Sequence, residues 1–209
     1  MTGLMLKDLL SLRKASGRIM AILGLYIVIF AAAGNVSFLS AMIILIMTMF
    51  IVNTYSYDEM SKWDYYALSL PVTKSQIVLS KYLLTLLFEL AGILVSVLVY
   101  LFKNLINTEN IMGLCGISST AVLMAAILLP LIYKFGTQKA RIWMVLLFLL
   151  PTAAILGLNS FGILPSGNAL SQVSDSFMET LVLLMVPVSL LLFTLSYFLS
   201  CHIFKRKSI

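Results

Sequence analysis

The side chains that most often carry catalysis or bind metals are scarce and widely separated in this chain of 209 residues. His202 is the sole histidine, and the two cysteines, Cys115 and Cys201, are isolated from one another. A zinc site needs several Cys or His ligands at close spacing. No glycine opens the GxxxxGK[ST] pattern of a nucleotide-binding loop. The sequence therefore predicts no metal site, no disulfide framework and no ATP hydrolysis by this chain.

One ionisable side chain, that of Glu89, lies well inside a long apolar stretch. It is about seven residues into residues 82–102, or roughly 10 Å along a helix. If this stretch crosses a membrane, a carboxyl group at that depth is costly and typical of a functional site. We expect Glu89 either to face a transport path or to form a structural hydrogen bond with a neighbouring helix. Unchanged assembly and transport in a Glu89→Gln variant would exclude the first role.

Composition indicates an integral membrane protein. Hydrophobic residues make up 61% of the chain and charged residues 11%, and the mean hydropathy is +1.07. A soluble domain of this size could not bury so much apolar surface. The net charge of +6 comes from residues beside the apolar stretches. It therefore indicates contact with lipid headgroups rather than with nucleic acid.

The basic residues predict the topology. Thirteen of the fourteen Lys and Arg residues fall in four groups separated by long apolar stretches, and Lys103 is the exception. The groups lie at residues 7–18, 62–81, 134–141 and 205–207. Because positive charge near span ends stays cytoplasmic, we predict an all-α fold of six spans with both termini in the cytoplasm. The predicted spans are residues 19–33, 36–55, 82–102, 112–133, 142–158 and 180–199.

Two segments outside these spans are also apolar. Residues 1–18 carry leucines at helical spacing and are predicted to form an amphipathic helix in the cytoplasmic interface. The alternative is a simple extension of the first span, and residues 19–209 form the membrane domain in either case. Residues 159–176 are too apolar for an ordinary solvated loop. They are predicted to form an outer re-entrant element, or else a loop with a few buried anchors.

Prolines mark one helix end and three helix interiors. Pro71 is expected to end a helix, because the residue before a proline leaves the α region, and Thr73 is expected to cap the next one. Pro130, Pro151 and Pro187 interrupt predicted spans four, five and six. Each removes a backbone hydrogen bond, so a neighbouring helix must supply a partner for the freed carbonyl. The kinks serve either as hinges or as static bends.

Residues 56–81 form the longest predicted cytoplasmic connection. Acidic residues follow Ser56, which is typical of a helix start. If residues 58–68 are helical, Glu59, Trp63 and Tyr66 share one face. Aromatic side chains are common anchors of protein interfaces, so this face is a candidate docking surface. The alternative is an aromatic belt that contacts lipid headgroups.

This connection resembles the segment between spans two and three of bacterial ABC-2 type transporter permeases, in particular a small six-span subfamily. The resemblance is carried by Asp58-Glu59, by Trp63-Asp64-Tyr65-Tyr66-Ala67-Leu68-Ser69-Leu70-Pro71-Val72-Thr73-Lys74, by Ile77-Val78 and by Lys81-Tyr82-Leu83. In layout it extends over the whole chain. Within the family the chain is similar to permeases that export phenol-soluble modulins or antimicrobial peptides.

The resemblance implies a type V exporter fold in the bacterial cytoplasmic membrane. Two permease chains, identical or related, would each bind a separate ATP-binding subunit that carries ATP and magnesium. Residues 56–81 would hold the coupling helix, residues 1–18 the connecting helix and residues 159–176 the re-entrant element. The residues implied in docking are Asp58, Glu59, Lys62, Trp63, Tyr65 and Tyr66. The implied function is export of amphipathic peptides or other amphiphiles.

Two other classes fit the composition. A stand-alone channel or secondary transporter needs no partner, but secondary carriers generally show internal repeats and several intramembrane charges, which this sequence lacks. A membrane anchor would use residues 56–81 to recruit a soluble partner without transport. Copurification of an ATP-binding subunit distinguishes the permease from the stand-alone carrier.

Overall fold

The computed structural model describes residues 2–33, 36–69, 71–140 and 175–206, together with residues 142, 143, 145, 146 and 149. Regular secondary structure in these ranges is helical throughout, as predicted. The helices are α1 (Thr2–Ala33), α2 (Val36–Met60), α3 (Trp63–Ser69), α4 (Lys74–Phe102), α5 (Thr108–Phe135) and α6 (Asp175–Arg206). Residues 137–140 are helical as well.

Within the described residues, four helices are long and apolar enough to cross a membrane: α2, α4, α5 and residues Glu179–Arg206 of α6. They coincide with four of the predicted spans. Most of the predicted span 142–158 and of the outer segment 159–176 lies outside the described residues. The total of six spans and the cytoplasmic termini stay predictions.

The N-terminal helix has no break at the predicted boundary between residues 18 and 19. An interfacial helix over residues 1–18 and a span over 19–33 were expected, whereas α1 is continuous from Thr2 to Ala33. No proline interrupts these residues, so the hydrogen-bond ladder runs through residue 18. An interfacial position for residues 2–18 stays a prediction. The first turns of α1 bury Asp8 and Leu12 and leave Leu6 and Leu10 more than half exposed. The side of α1 that faces the bundle therefore carries a charge.

The core lies between α2, α4, α5 and α6. Its buried side chains include Tyr55, Val78, Leu129 and Phe204. Several helix ends meet beside this core, namely the N-terminal part of α1, the C-terminus of α2, the N-terminus of α4 and the C-termini of α5 and α6. We call this the charged end, after the Lys7–Asp58–Lys81 contacts found there.

A glycine allows α2 and α4 to approach closely in the middle of the bundle. A Cβ added to Gly92 would lie 3.3 Å from Cγ of Met47 and 3.5 Å from Cα of Ile44. Small residues at such contacts bring helix backbones together in membranes. At the opposite end of the bundle from the charged end, the hydroxyls of Ser40 and Tyr100 are 3.3 Å apart and join the same two helices.

The proline inside α5 has its freed carbonyl satisfied by α6. Pro130 has no N–H to give to the carbonyl of Ala126, four residues earlier, and Oγ of Ser196 donates to that carbonyl at 2.6 Å. Tyr82 of α4 donates in turn to Ser196 at 2.7 Å, and Ser200 lies 2.7 Å from the same tyrosine hydroxyl. The prediction that a neighbouring helix replaces the lost hydrogen bond is confirmed here.

The other two prolines of the predicted spans are Pro187 and Pro151. Pro187 lies inside α6, and Pro151 lies outside the described residues. Whether any of the three acts as a hinge or as a static bend stays a prediction.

Replacing Ser196 with alanine is expected to lower the free energy of unfolding by about 1–3 kcal/mol, because it leaves the buried carbonyl of Ala126 without its partner. The measurement is thermal unfolding of the purified chain in detergent. Ser189→Ala is the matched control, since Ser189 is also buried in α6 but bonds only within its own helix, to the carbonyl of Val186. Equal destabilisation by both variants would contradict the bridging role.

Candidate partner-docking site

The short helix α3 packs at the charged end and is separated from α2 by the turn Ser61–Lys62. The shared face of Glu59, Trp63 and Tyr66 required one helix over residues 58–68, and that condition is not met. The N–H of Ser61 still bonds the carbonyl of Tyr57 at 3.0 Å, so α2 continues to Met60. Lys62 then adopts a positive φ of 50°, which breaks the helix. Glu59 and Trp63 consequently belong to different helices.

Two residues fasten α3 to the bundle. Ala67 is fully buried in the core, and Trp63 packs against the same core cluster. The Tyr66 ring lies 5.3 Å from the Trp63 ring, and its side chain is 59% exposed. The side chain of Tyr65, also predicted to dock, lies outside the described part of the structure. Helix α3 is thus held on one side and presents an aromatic ring on the other.

Exposed residues surround the turn between α2 and α3. Met60 is 81% exposed, and Lys62 is also exposed. Tyr57 stands at the start of this stretch with 38% of its surface exposed. Together with Tyr66 these residues form what we call the α3 patch: Tyr57, Met60, Lys62 and Tyr66. Its two tyrosines and its methionine are residue types that are enriched at protein interfaces.

Four charged side chains join α1, α2 and α4 directly behind α3. Nζ of Lys7 is 2.5 Å from Oδ1 of Asp58 and 2.9 Å from Oδ1 of Asp8. Nζ of Lys81 is 2.5 Å from Oδ2 of Asp58 and 2.8 Å from Oδ2 of Asp8. Each carboxylate thus contacts both ammonium groups. We call these four residues the charge cluster.

The charge cluster is electrically neutral and largely removed from water. The side chains of Asp8 and Lys81 are 2% and 5% exposed, and that of Asp58 is 10% exposed. Removing water from ions is expensive, so a buried group of this kind is stable only while every charge keeps its partner. Asp58 was predicted to face a docking partner, and the structure instead turns it inward.

The charge cluster is also connected to α3 itself. Nζ of Lys7 lies 4.0 Å from the centre of the Trp63 ring, an arrangement that attracts the cation to the ring face. From the sequence, Lys7 was assigned to topology and Lys81 to topology and to the family motif, and Asp8 was given no role. A signal was available, since Asp8 is the single acid among the basic residues of the first 18.

Glu59 connects α2 to the helical residues that follow α5. Its Oε2 accepts hydrogen bonds from the backbone N–H of Thr137, at 2.9 Å, and from the Thr137 hydroxyl. A carboxylate at a helix N-terminus satisfies free N–H groups there. Gly136 makes this approach possible, because its φ of +82° suits glycine and an added Cβ would lie 3.0 Å from Oε1 of Glu59. Glu59 therefore acts as an internal cap.

The start of α4 is fixed by a reciprocal cap. Thr73 Oγ1 accepts from the N–H of Gln76 at 3.3 Å, and Oε1 of Gln76 accepts from the N–H of Thr73 at 3.0 Å. This capping box satisfies two N–H groups that lack helical partners. The predicted capping role of Thr73 is confirmed. It sets where α4 begins, seven residues before Lys81 enters the charge cluster.

Glu89 lies far from the charged end, at the contact between α2 and α4. It is 2% exposed, and Oε1 accepts a hydrogen bond of 2.9 Å from the hydroxyl of Thr48. Among the described residues, Oε2 has no hydrogen-bond partner. The structure thus provides the predicted interhelical hydrogen bond and leaves half of the carboxyl group unused.

Comparison with known proteins agrees with the predicted family. The family described as ABC-2 family transporter protein matches residues 3–205 of the chain. No curated protein and no solved structure matches it. The narrower likeness to peptide exporters stays a prediction. With four membrane-crossing helices in its described residues and a family match over nearly its whole length, the chain is a multi-pass membrane protein of the ABC-2 transporter family.

Proposed function

We propose that the chain is the permease subunit of an ATP-driven exporter and that the α3 patch is the surface on which a separate ATP-binding subunit docks. The observation that supports this most is the construction of α3. A helix of seven residues is fastened by Ala67 and Trp63 to a membrane bundle, while Tyr66 on the same helix is exposed. A family match to membrane transport components supports the permease assignment.

The contacts behind α3 suit the transmission of force. Trp63 contacts Lys7, and Lys7 is bound to Asp58 of α2 and lies in one charge cluster with Lys81 of α4. Motion of a docked subunit would therefore reach α1, α2 and α4 together rather than α3 alone. Within the predicted docking set, Lys62, Trp63, Tyr65 and Tyr66 keep that role in our proposal. Asp58 is buried behind the site, and Glu59, which is exposed, holds Thr137 beside it.

ATP and magnesium would be bound by the partner subunit, and the permease would pair with a second copy or a related chain. The proposed cargo is an amphipathic or antimicrobial peptide moved out of the cell across the bacterial cytoplasmic membrane. Glu89, with one unused oxygen between α2 and α4, is the proposed polar group of the transport path. The Glu89→Gln transport assay separates this role from a structural one.

The test is affinity purification of the tagged chain from native membranes in mild detergent, with mass spectrometry of the proteins that accompany it. We expect a P-loop ATPase in stoichiometric amount. A permease that purifies without any ATPase would overturn the proposal and would favour a stand-alone channel or carrier. Uptake of a labelled amphipathic peptide into inverted vesicles, dependent on ATP, would then test direction and cargo.

A further inference from the structure

A groove between α5 and α6 opens at the charged end, on a part of the bundle that the docking proposal does not use. Its volume is about 770 Å³, within the range of pockets that bind small molecules. The walls are mainly apolar and include Ile127, Leu131, Leu199 and Ile203. Ile127 is 45% exposed and Leu199 53% exposed.

The polar lining of the groove is basic. Lys134 in the last turn of α5 and Arg206 in the last turn of α6 both contribute to it, together with His202. No acidic residue is among the described residues that line the groove, and none within the described ranges forms an ion pair with Lys134 or Arg206. Two basic residues therefore line an apolar groove without a counter-ion from the described part of the chain.

We propose that this groove binds an anionic phospholipid. The phosphate would lie between Lys134 and Arg206, with His202 as a hydrogen-bond donor, and an acyl chain would lie along the wall formed by Ile127 and Leu199. Basic pockets between membrane helices bind anionic headgroups in this way. Lysine and arginine at helix C-termini also offset the helix dipole, but that role needs neither an apolar groove nor a second helix.

The site is independent of the docking proposal, since it requires only that α5 and α6 cross the membrane. Lipid binding in this groove can be distinguished from the general attraction of basic residues to an anionic bilayer. Lys205 is exposed and adjacent to Arg206 at the same end of α6, but it does not line the groove. A built site should respond to the loss of Arg206 and not to the loss of Lys205.

The experiment is native mass spectrometry of the full chain in detergent, titrated with phosphatidylglycerol. We expect one tightly retained lipid per chain. Lys134→Gln and Arg206→Gln should each weaken its binding about fivefold, and the pair about 25-fold, which follows from about 1 kcal/mol for each basic residue near a lipid surface. Lys205→Gln is the matched control and should leave binding unchanged. Equal weakening by Lys205→Gln would overturn the proposal.

A second pair of variants tests the apolar wall. Leu199→Trp should fill the groove and reduce lipid retention, whereas Leu195→Trp, one turn away on α6 and equally exposed but outside the lining, should not. Inorganic phosphate serves as the competing probe. If phosphate alone displaces the lipid and Leu199→Trp retains full binding, the groove holds a free anion and the lipid assignment is wrong. Size-exclusion profiles verify that each variant is folded.

Discussion

Replacing Asp58 with asparagine is expected to destabilise the purified chain by about 3–5 kcal/mol, which is the usual cost of removing one partner from a buried ion pair. Asp58 contacts Lys7 and Lys81, each at 2.5 Å. Without its negative charge, the two ammonium groups share only Asp8, and a net positive charge stays buried. Thermal unfolding in detergent measures the loss.

Two comparisons make this result specific. Glu109→Gln removes a carboxylate that is exposed at the start of α5, and it should cost little. The double variant Asp58→Asn with Lys81→Met leaves Lys7 and Asp8 as a neutral pair, so much of the stability should return. Should Asp58→Asn prove no more harmful than Glu109→Gln, the charge cluster would contribute little to the fold.

Replacing Tyr66 of the α3 patch with alanine is expected to release the ATP-binding subunit while the permease stays folded. Aromatic residues at the centre of an interface commonly contribute at least about 2 kcal/mol each, so Tyr66→Ala should weaken the complex by roughly 30-fold. Copurification of the ATPase and peptide-stimulated ATP hydrolysis measure this. Tyr66 is the sharper choice because Trp63→Ala would also remove a partner of Lys7.

Phe102→Ala provides the control for the α3 patch. Phe102 is 87% exposed at the opposite end of α4 from the charged end, so its loss changes exposed aromatic surface without touching the patch. The ATPase should still copurify with this variant. If Tyr66→Ala retains both the ATPase and normal coupling, α3 is not the docking element.

Local rules of helix chemistry predicted much of the fold. Pro71 and Thr73 located the break before α4 because each acts on its immediate neighbours. Apolar length located four of the helices. The end of α2 was misplaced because acids after Ser56 resemble a helix start, whereas the preceding apolar helix simply continues through them.

The long-range contacts of the candidate site could not be predicted in the same way. Lys7 and Asp58 are 51 residues apart, and Glu59 and Thr137 are 78 residues apart. Nothing in the spacing of a single sequence pairs such residues. A positive charge near a span end is explained by topology, so the sequence gives no sign that Lys81 also contacts Asp8 and Asp58.

The Ser196 bridge has a consequence for the insertion of the protein into the membrane during synthesis. Ribosomes deliver α5 to the membrane before α6, and until α6 follows, the carbonyl that Pro130 frees on Ala126 lacks the hydroxyl that later satisfies it. An unsatisfied backbone group in lipid is costly. A chain that stops short of Ser196 therefore lacks the hydroxyl that satisfies this carbonyl in the complete bundle. Helix α6 thus supplies a hydrogen bond that α5, made before it, lacks.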